Sequence, residues 1–176
     1  YVSRAASPFS DALATRAIEL VGNSLKTAVF YGEDRVARDQ MSQASLLAGL
    51  AFNHAYLGLT HAIAAAVSGH AHVPHGVAIG LLLPHVMRFN LPTNEYKFAR
   101  VAQELSGGRW NTAEDAPALV QKLAADIGIP QRLSEVGVTQ EMLPSIAEQT
   151  LQSVQLRFNP RPVSKGQVLA LVEELL

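Results

Sequence analysis

Apolar positions recur along nearly the whole chain at spacings of three and four, the period of a helix with one buried face. Leu13, Ala17, Leu20, Val21 and Leu25 form the first such stripe, and Ser7 followed by Pro8 supplies its start, an N-cap with proline in the first turn. A second stripe begins near Asp34 and runs through Val36, Met41, Ala44, Ala48 and Phe52; small residues crowd its later part, so neighbouring backbones can approach it closely. A third helix is expected over Leu57–Ser68, stopped by Gly69 and by Pro74 beyond it. A fourth carries the apolar run after Gly76 and is expected to bend at Pro84. Thr93, Thr112, Thr139 and Ser164 are each placed to cap a further helix, and Ser164 with Gln167 has the spacing of a capping box. Gly107-Gly108, Gly128-Ile129-Pro130 and Asn159-Pro160-Arg161-Pro162 are the main interruptions. Strand-type alternation is missing except that Val29-Phe30-Tyr31 could run extended, and there is no internal repeat. The pattern predicts an all-α helical bundle over residues 1–176.

Composition narrows the classes of function. Apolar residues make up 48% of the chain and charged residues 16%, against roughly 25% charged in an average soluble domain. So little charge suits a chain that buries much of itself or covers a face with a partner domain. The net charge is −1, with 14 basic and 15 acidic residues well mixed; no basic patch supports binding to nucleic acid. The absence of cysteine excludes disulfides, thiolate metal sites and a cysteine nucleophile, and fits a cytoplasmic protein. No apolar run is long enough to span a membrane, since the segment from Gly76 to Leu83 stops at Pro84 and His85. No Gly-x-Gly-x-x-Gly or Walker-type loop is present to cradle a dinucleotide.

The candidate chemistry lies in the histidines. All 6 fall between His54 and His85: His54, His61, His70, His72, His75 and His85. His61 and His75 bracket the Gly69–Pro74 turn, and two helices joined by a turn can bring both imidazoles to one point. Neutral imidazole suits zinc, iron, nickel or copper, so the residue type does not choose the metal. A lone histidine on an apolar helix is more often a hydrogen-bonded core or surface residue than a ligand. Two ligands also fall short of the three or four protein groups of a zinc-type centre. No Asp or Glu lies between Leu46 and Asn94 to complete one. Spacing alone leaves the cluster suggestive and incomplete.

Three phrases carry a resemblance: Gly58-Leu59-Thr60-His61, then Val73-Pro74-His75-Gly76-Val77-Ala78, then Leu82-Leu83-Pro84-His85-Val86. Together with Ser7–Ala14, Asp39–Leu50 and Asn159-Pro160-Arg161-Pro162, they resemble the iron-containing (group III) alcohol dehydrogenase family along essentially the whole chain. The resemblance implies the C-terminal helical, metal-binding domain shared with dehydroquinate synthase-like proteins. It implies that His61 and His75 are two of the metal ligands, Fe2+ or Zn2+ being the metal. The family's other two ligands come from an Asp-x-x-x-His helix expected just before Tyr1. An N-terminal domain binding NAD or NADP is likewise expected outside this chain, so the isolated chain is expected to be inactive.

The implied reaction interconverts an alcohol with an aldehyde or ketone of small size, and a homodimer is expected on base rates. Many family members carry a further histidine one turn after the first ligand histidine; here that position is Ala65. Ala65, His54, His70 and His72 are the candidates to line the substrate pocket, and His85 reads as structural. Glycerol dehydrogenase-like polyol dehydrogenases and maleylacetate reductases are rival branches of the same class. A helical interaction module with incidental histidines is the rival from another class.

Overall fold

The strongest start signals in the sequence do open helices. In the computed structural model, which describes residues 1–176, Ser7 caps α1 (Pro8–Phe30) through a full capping box closed by Ser10. Asp34 caps α2 (Arg35–Ala55) by accepting from the Ala37 amide. Ser164 and Gln167 form the expected capping box on α8 (Lys165–Glu174). Such a cap is worth about 1 kcal/mol each, which makes these boundaries readable from a few residues.

Between them lie α3 (Leu59–Ala71), α4 (His75–Asn90), α5 (Glu95–Ser106), α6 (Asp115–Asp126) and α7 (Leu143–Leu151). Short 3₁₀ turns fill several connections, and no strand is present. Val29 and Phe30 belong to the last turn of α1, where the Tyr31 amide still donates to the Thr27 carbonyl, so this stretch is helical and not extended. Three of the expected threonine caps give way to neighbours. Asn94 caps α5, and the Thr93 hydroxyl instead donates to the Asn90 carbonyl. Near α6 the Thr112 amide donates to the Asp115 carboxylate. Thr139 opens a 3₁₀ turn, with α7 following at Leu143.

α1 and α2 form a hairpin that also rests on α5. The close approach of α1 to α5 depends on Gly22. A Cβ built there would fall well inside contact distance of the Leu105 carbonyl oxygen and at 2.9 Å from its carbonyl carbon and Cα. α3 is apolar over most of its surface and central: Leu59, Ile63, Ala64, Ala66 and Val67 are 0% exposed. It packs against α4 and α7, and α7 against α8, around the main hydrophobic core. Met87 of α4 turns to a smaller core with Phe98 and Val101 of α5 and Ala116 of α6. Burying a Leu, Ile or Val side chain yields roughly 1.5–3 kcal/mol, so the α3–α4–α7 layer is the rigid body on which the histidines are mounted.

Candidate metal centre

α3 starts immediately after Gly58, placing His61 in its first turn. α3 ends later than its glycine suggests. Gly69 lies inside the helix, and the stop is His72, the C-cap, held in the left-handed conformation at φ 53° and ψ 29°. Histidine tolerates this region better than most side chains, and the reversal there leads through Pro74 directly into α4, whose first residue is His75. Both histidines therefore sit in the first turns of their helices, His61 before the reversal and His75 directly after it.

The rings of His61 and His75 stand 5.6 Å apart between centroids, tilted by 54°. Burial, and secondarily the neighbouring His75, hold the His61 imidazole below the ordinary histidine range. The ring is therefore kept in the neutral form that binds a metal. His61 is half-buried and His75 exposed, so the pair has a dry side against α3 and an open side toward solvent.

The geometry fits a shared transition metal. A nitrogen ligated at about 2.1 Å puts its ring centroid roughly 3.2 Å from the metal, and two such rings at a tetrahedral angle stand about 5.2 Å apart. The observed 5.6 Å lies within a few tenths of an ångström of that separation. No group of three or more His, Cys, Asp or Glu comes together anywhere in the chain, so the pair alone falls short of a complete metal site.

The other candidates separate from this pair to different degrees. Ala65 follows His61 by one helical turn and is exposed, so a small side chain leaves that stretch of the α3 face open. His54 lies in the last turn of α2 and meets Phe9 edge-to-face at 5.0 Å. His70 is half-buried in the last turn of α3, and exposed His72 serves the backbone as the left-handed cap. His85 is half-buried on another cleft, of about 420 Å³, which Arg88, Phe89, Arg161 and Glu174 also line.

Three further features surround the start of α3. Tyr56, between α2 and α3, holds φ 57° and ψ −175°, a region that belongs to glycine, and stacks on Phe158 with centroids 4.3 Å apart. Asn90 and Asn159, each 4% exposed, form a reciprocal amide pair: Asn159 Nδ2 donates to Asn90 Oδ1 at 2.9 Å, and Asn90 Nδ2 to Asn159 Oδ1 at 3.1 Å. Gly58 lies against this pair, since a Cβ there would meet Asn159 Oδ1 at 2.9 Å.

The family model described as the Fe-containing alcohol dehydrogenase family, C-terminal, matches residues 1–176. The 1,3-propanediol dehydrogenase of Klebsiella pneumoniae is 42% identical over 180 residues, covering 99% of this chain and 46% of that protein. The NAD-dependent methanol dehydrogenase of Bacillus methanolicus is 34% identical over 182 residues, covering 100% of this chain and 48% of that protein. Among solved structures, a 1,3-propanediol oxidoreductase superposes with a TM-score of 0.95 at 42% identity, covering 100% of this chain and 47% of that one. An alcohol dehydrogenase from Oenococcus oeni gives a TM-score of 0.95 at 33% identity, with coverage of 100% and 47%. The chain spans about half the length of the curated relatives it matches. No helix is long and apolar enough to cross a membrane.

Proposed function

As the chain belongs to the Fe-containing alcohol dehydrogenase family, we propose that it supplies half of the ligand set of a catalytic Fe2+ or Zn2+ in an NAD(P)-linked enzyme. That enzyme interconverts an alcohol with an aldehyde or ketone. The observation that carries this reading is the convergence of His61 and His75 at 5.6 Å from two helices across one turn. The metal, when bound, supplies Lewis acidity toward the substrate oxygen.

His61 and His75 would hold it through neutral rings, the form toward which burial shifts His61. The first turns of α3 and α4 carry the two histidines, and their positive ends favour the negative charge an alcohol oxygen gains on losing its proton, ahead of hydride departure. Ala65, one turn along α3, leaves space beside the pair for the substrate's carbon chain. His54, His70 and His72 are the further candidates to line that space. A nicotinamide, the hydride acceptor when bound, would have to be held outside these 176 residues, since the sequence has no Gly-x-Gly-x-x-Gly or Walker-type loop.

The test is metal analysis and alcohol oxidation, with NAD and NADP, by the enzyme that contains this chain. His61→Ala and His75→Ala are each expected to strip the metal and abolish metal-dependent turnover, while the 176-residue chain alone turns over no alcohol. Turnover that survives His61→Ala with the metal content unchanged overturns the assignment, and a robust metal-dependent activity of the 176-residue chain overturns the half-site reading.

A further inference from the structure

α3 has no cap of its own. Its N-cap is Gly58, which offers no side chain to the first turn. The Leu59 amide is instead satisfied by Asn159 Oδ1 at 3.1 Å, from a residue 100 positions later. That same oxygen accepts from Asn90 Nδ2 at 3.1 Å. The Asn159 amide nitrogen is also fully used, donating to Asn90 Oδ1 at 2.9 Å and to the Arg161 carbonyl at 2.7 Å. Two acceptor and two donor places are all an asparagine side chain has, so Asn159 is saturated, and at 4% exposure it is shut off from water.

The three partners give this amide its meaning. Leu59 opens the helix that carries His61, and Asn90 closes the helix that begins with His75. Arg161 fastens the same turn to α4, donating through Nη1 to the Phe89 carbonyl at 2.7 Å and lying 4.3 Å over the Phe89 ring. A serine or aspartate at position 58 would cap α3 locally and leave it free to shift against α4. The cap from Asn159 makes the seat of α3 depend on α4, and only glycine at 58 admits it.

We propose that Asn159, paired with Asn90, is a positioning residue that caps α3 in trans and thereby sets the separation of His61 from His75. The role in metal binding rests on the proposed centre; the role in setting the ring separation does not.

Both are tested on the 176-residue chain by NMR. The ring-to-ring NOE between His61 and His75 and the hydrogen exchange of the Leu59 amide are read without metal, and Zn2+ affinity by titration. Asn159→Ala is expected to weaken the NOE by half or more, to speed exchange at Leu59, and to loosen Zn2+ about tenfold, the scale on which partners that orient a ligand act. Asn159→Asp keeps an acceptor for the Leu59 amide but sets a carboxylate oxygen against the Asn90 and Arg161 carbonyl oxygens in place of two donated hydrogen bonds, so it is expected to fail as the alanine variant does. Gly58→Ala displaces Asn159 without removing it and should reproduce the alanine variant, which covers the case that Asn159→Ala does not fold. Gly22→Ala, destabilising at the distant α1–α5 contact, should leave NOE and affinity as in the wild type. An unchanged NOE and unchanged Leu59 protection in folded Asn159→Ala, or equal losses in Gly22→Ala, overturn the proposal. A Zn2+ affinity indifferent to His61→Ala overturns the metal centre and leaves the NOE to decide the positioning role.

Discussion

Replacing Gly22 by alanine should destabilise the fold although alanine is the better helix former. In the interior of a helix the exchange ordinarily gains about 1 kcal/mol, because alanine loses less backbone entropy. At Gly22 the new methyl meets the carbonyl oxygen, carbonyl carbon and Cα of Leu105, all backbone atoms of α5 that no side-chain rotation can remove. α1 and α5 must separate locally, at an overpacking cost of about 1–3 kcal/mol. Three rigid contacts at once put the cost in the upper part of that range, so the net loss should be about 1–2 kcal/mol. The control is Gly49→Ala, in the middle of α2, where nothing lies within 4 Å of the added methyl and the gain of up to about 1 kcal/mol stands uncorrected. Urea midpoints of the two variants should therefore move in opposite directions around the wild type. The crossing is read wrongly if Gly22→Ala unfolds at or above the wild-type midpoint, or if Gly49→Ala falls together with it.

Tyr56→Gly should leave the unfolding midpoint almost unchanged, because relief of a glycine-type backbone conformation, about 1–3 kcal/mol, is offset by the lost stack on Phe158, about 0.5–1.5 kcal/mol, and by the backbone freedom of glycine, about 0.5–1 kcal/mol. Tyr56→Ala keeps the strain and should lower the midpoint; equal midpoints for the two variants by thermal melting would show that the conformation stores no strain. Stability should fall as the solution is acidified through the ordinary histidine range. The sign follows from His61 and His85, both lowered in the folded chain chiefly by burial: below about pH 6.5 the unfolded chain takes up protons that the native rings resist. The contribution is fully present above that pH and is lost below it, and His61→Ala should flatten the decline in urea midpoints between pH 8 and pH 5.5. In the same acid range Zn2+ affinity should weaken as protons compete for the ligand nitrogens, by calorimetric titration, and an affinity flat to pH 5 would exclude imidazole ligands.

What the sequence made legible was local. Ser7-Pro8, Asp34 and Ser164 with Gln167 announce helices because each cap acts within three residues. The all-α class followed from a period that every long segment repeats. Where two polar neighbours competed for one cap, as Thr93 with Asn94, the choice depended on which side chain the packed chain left free, and composition could not make it. The end of α3 was misplaced for a related reason: glycine costs a helix interior only about 1 kcal/mol, whereas the left-handed turn that stops α3 falls on His72.

The candidate site divides in the same way. His61 and His75 bracket one turn, so their convergence was within reach of spacing, and the family phrases singled them out from the other four histidines. Asn159 enters only as part of the phrase Asn159-Pro160-Arg161-Pro162, which gives it no role, and nothing local points to Asn90, 69 residues before it. A hydrogen bond across such a distance leaves no period, and one partner gives no hint of the other. The glycine at 58 was the one visible trace, and its meaning appears only with Asn159 against it. Two imidazoles on separate helices can share a metal only if something fixes one helix against the other. The apolar contact of α3 with α4 supplies attraction, but the hydrophobic effect is by itself non-directional. A saturated amide buried between the start of one helix and the end of the other supplies direction, because displacing it by an ångström leaves two acceptor and two donor places unmet in a dry interior, at about 1–3 kcal/mol for each group.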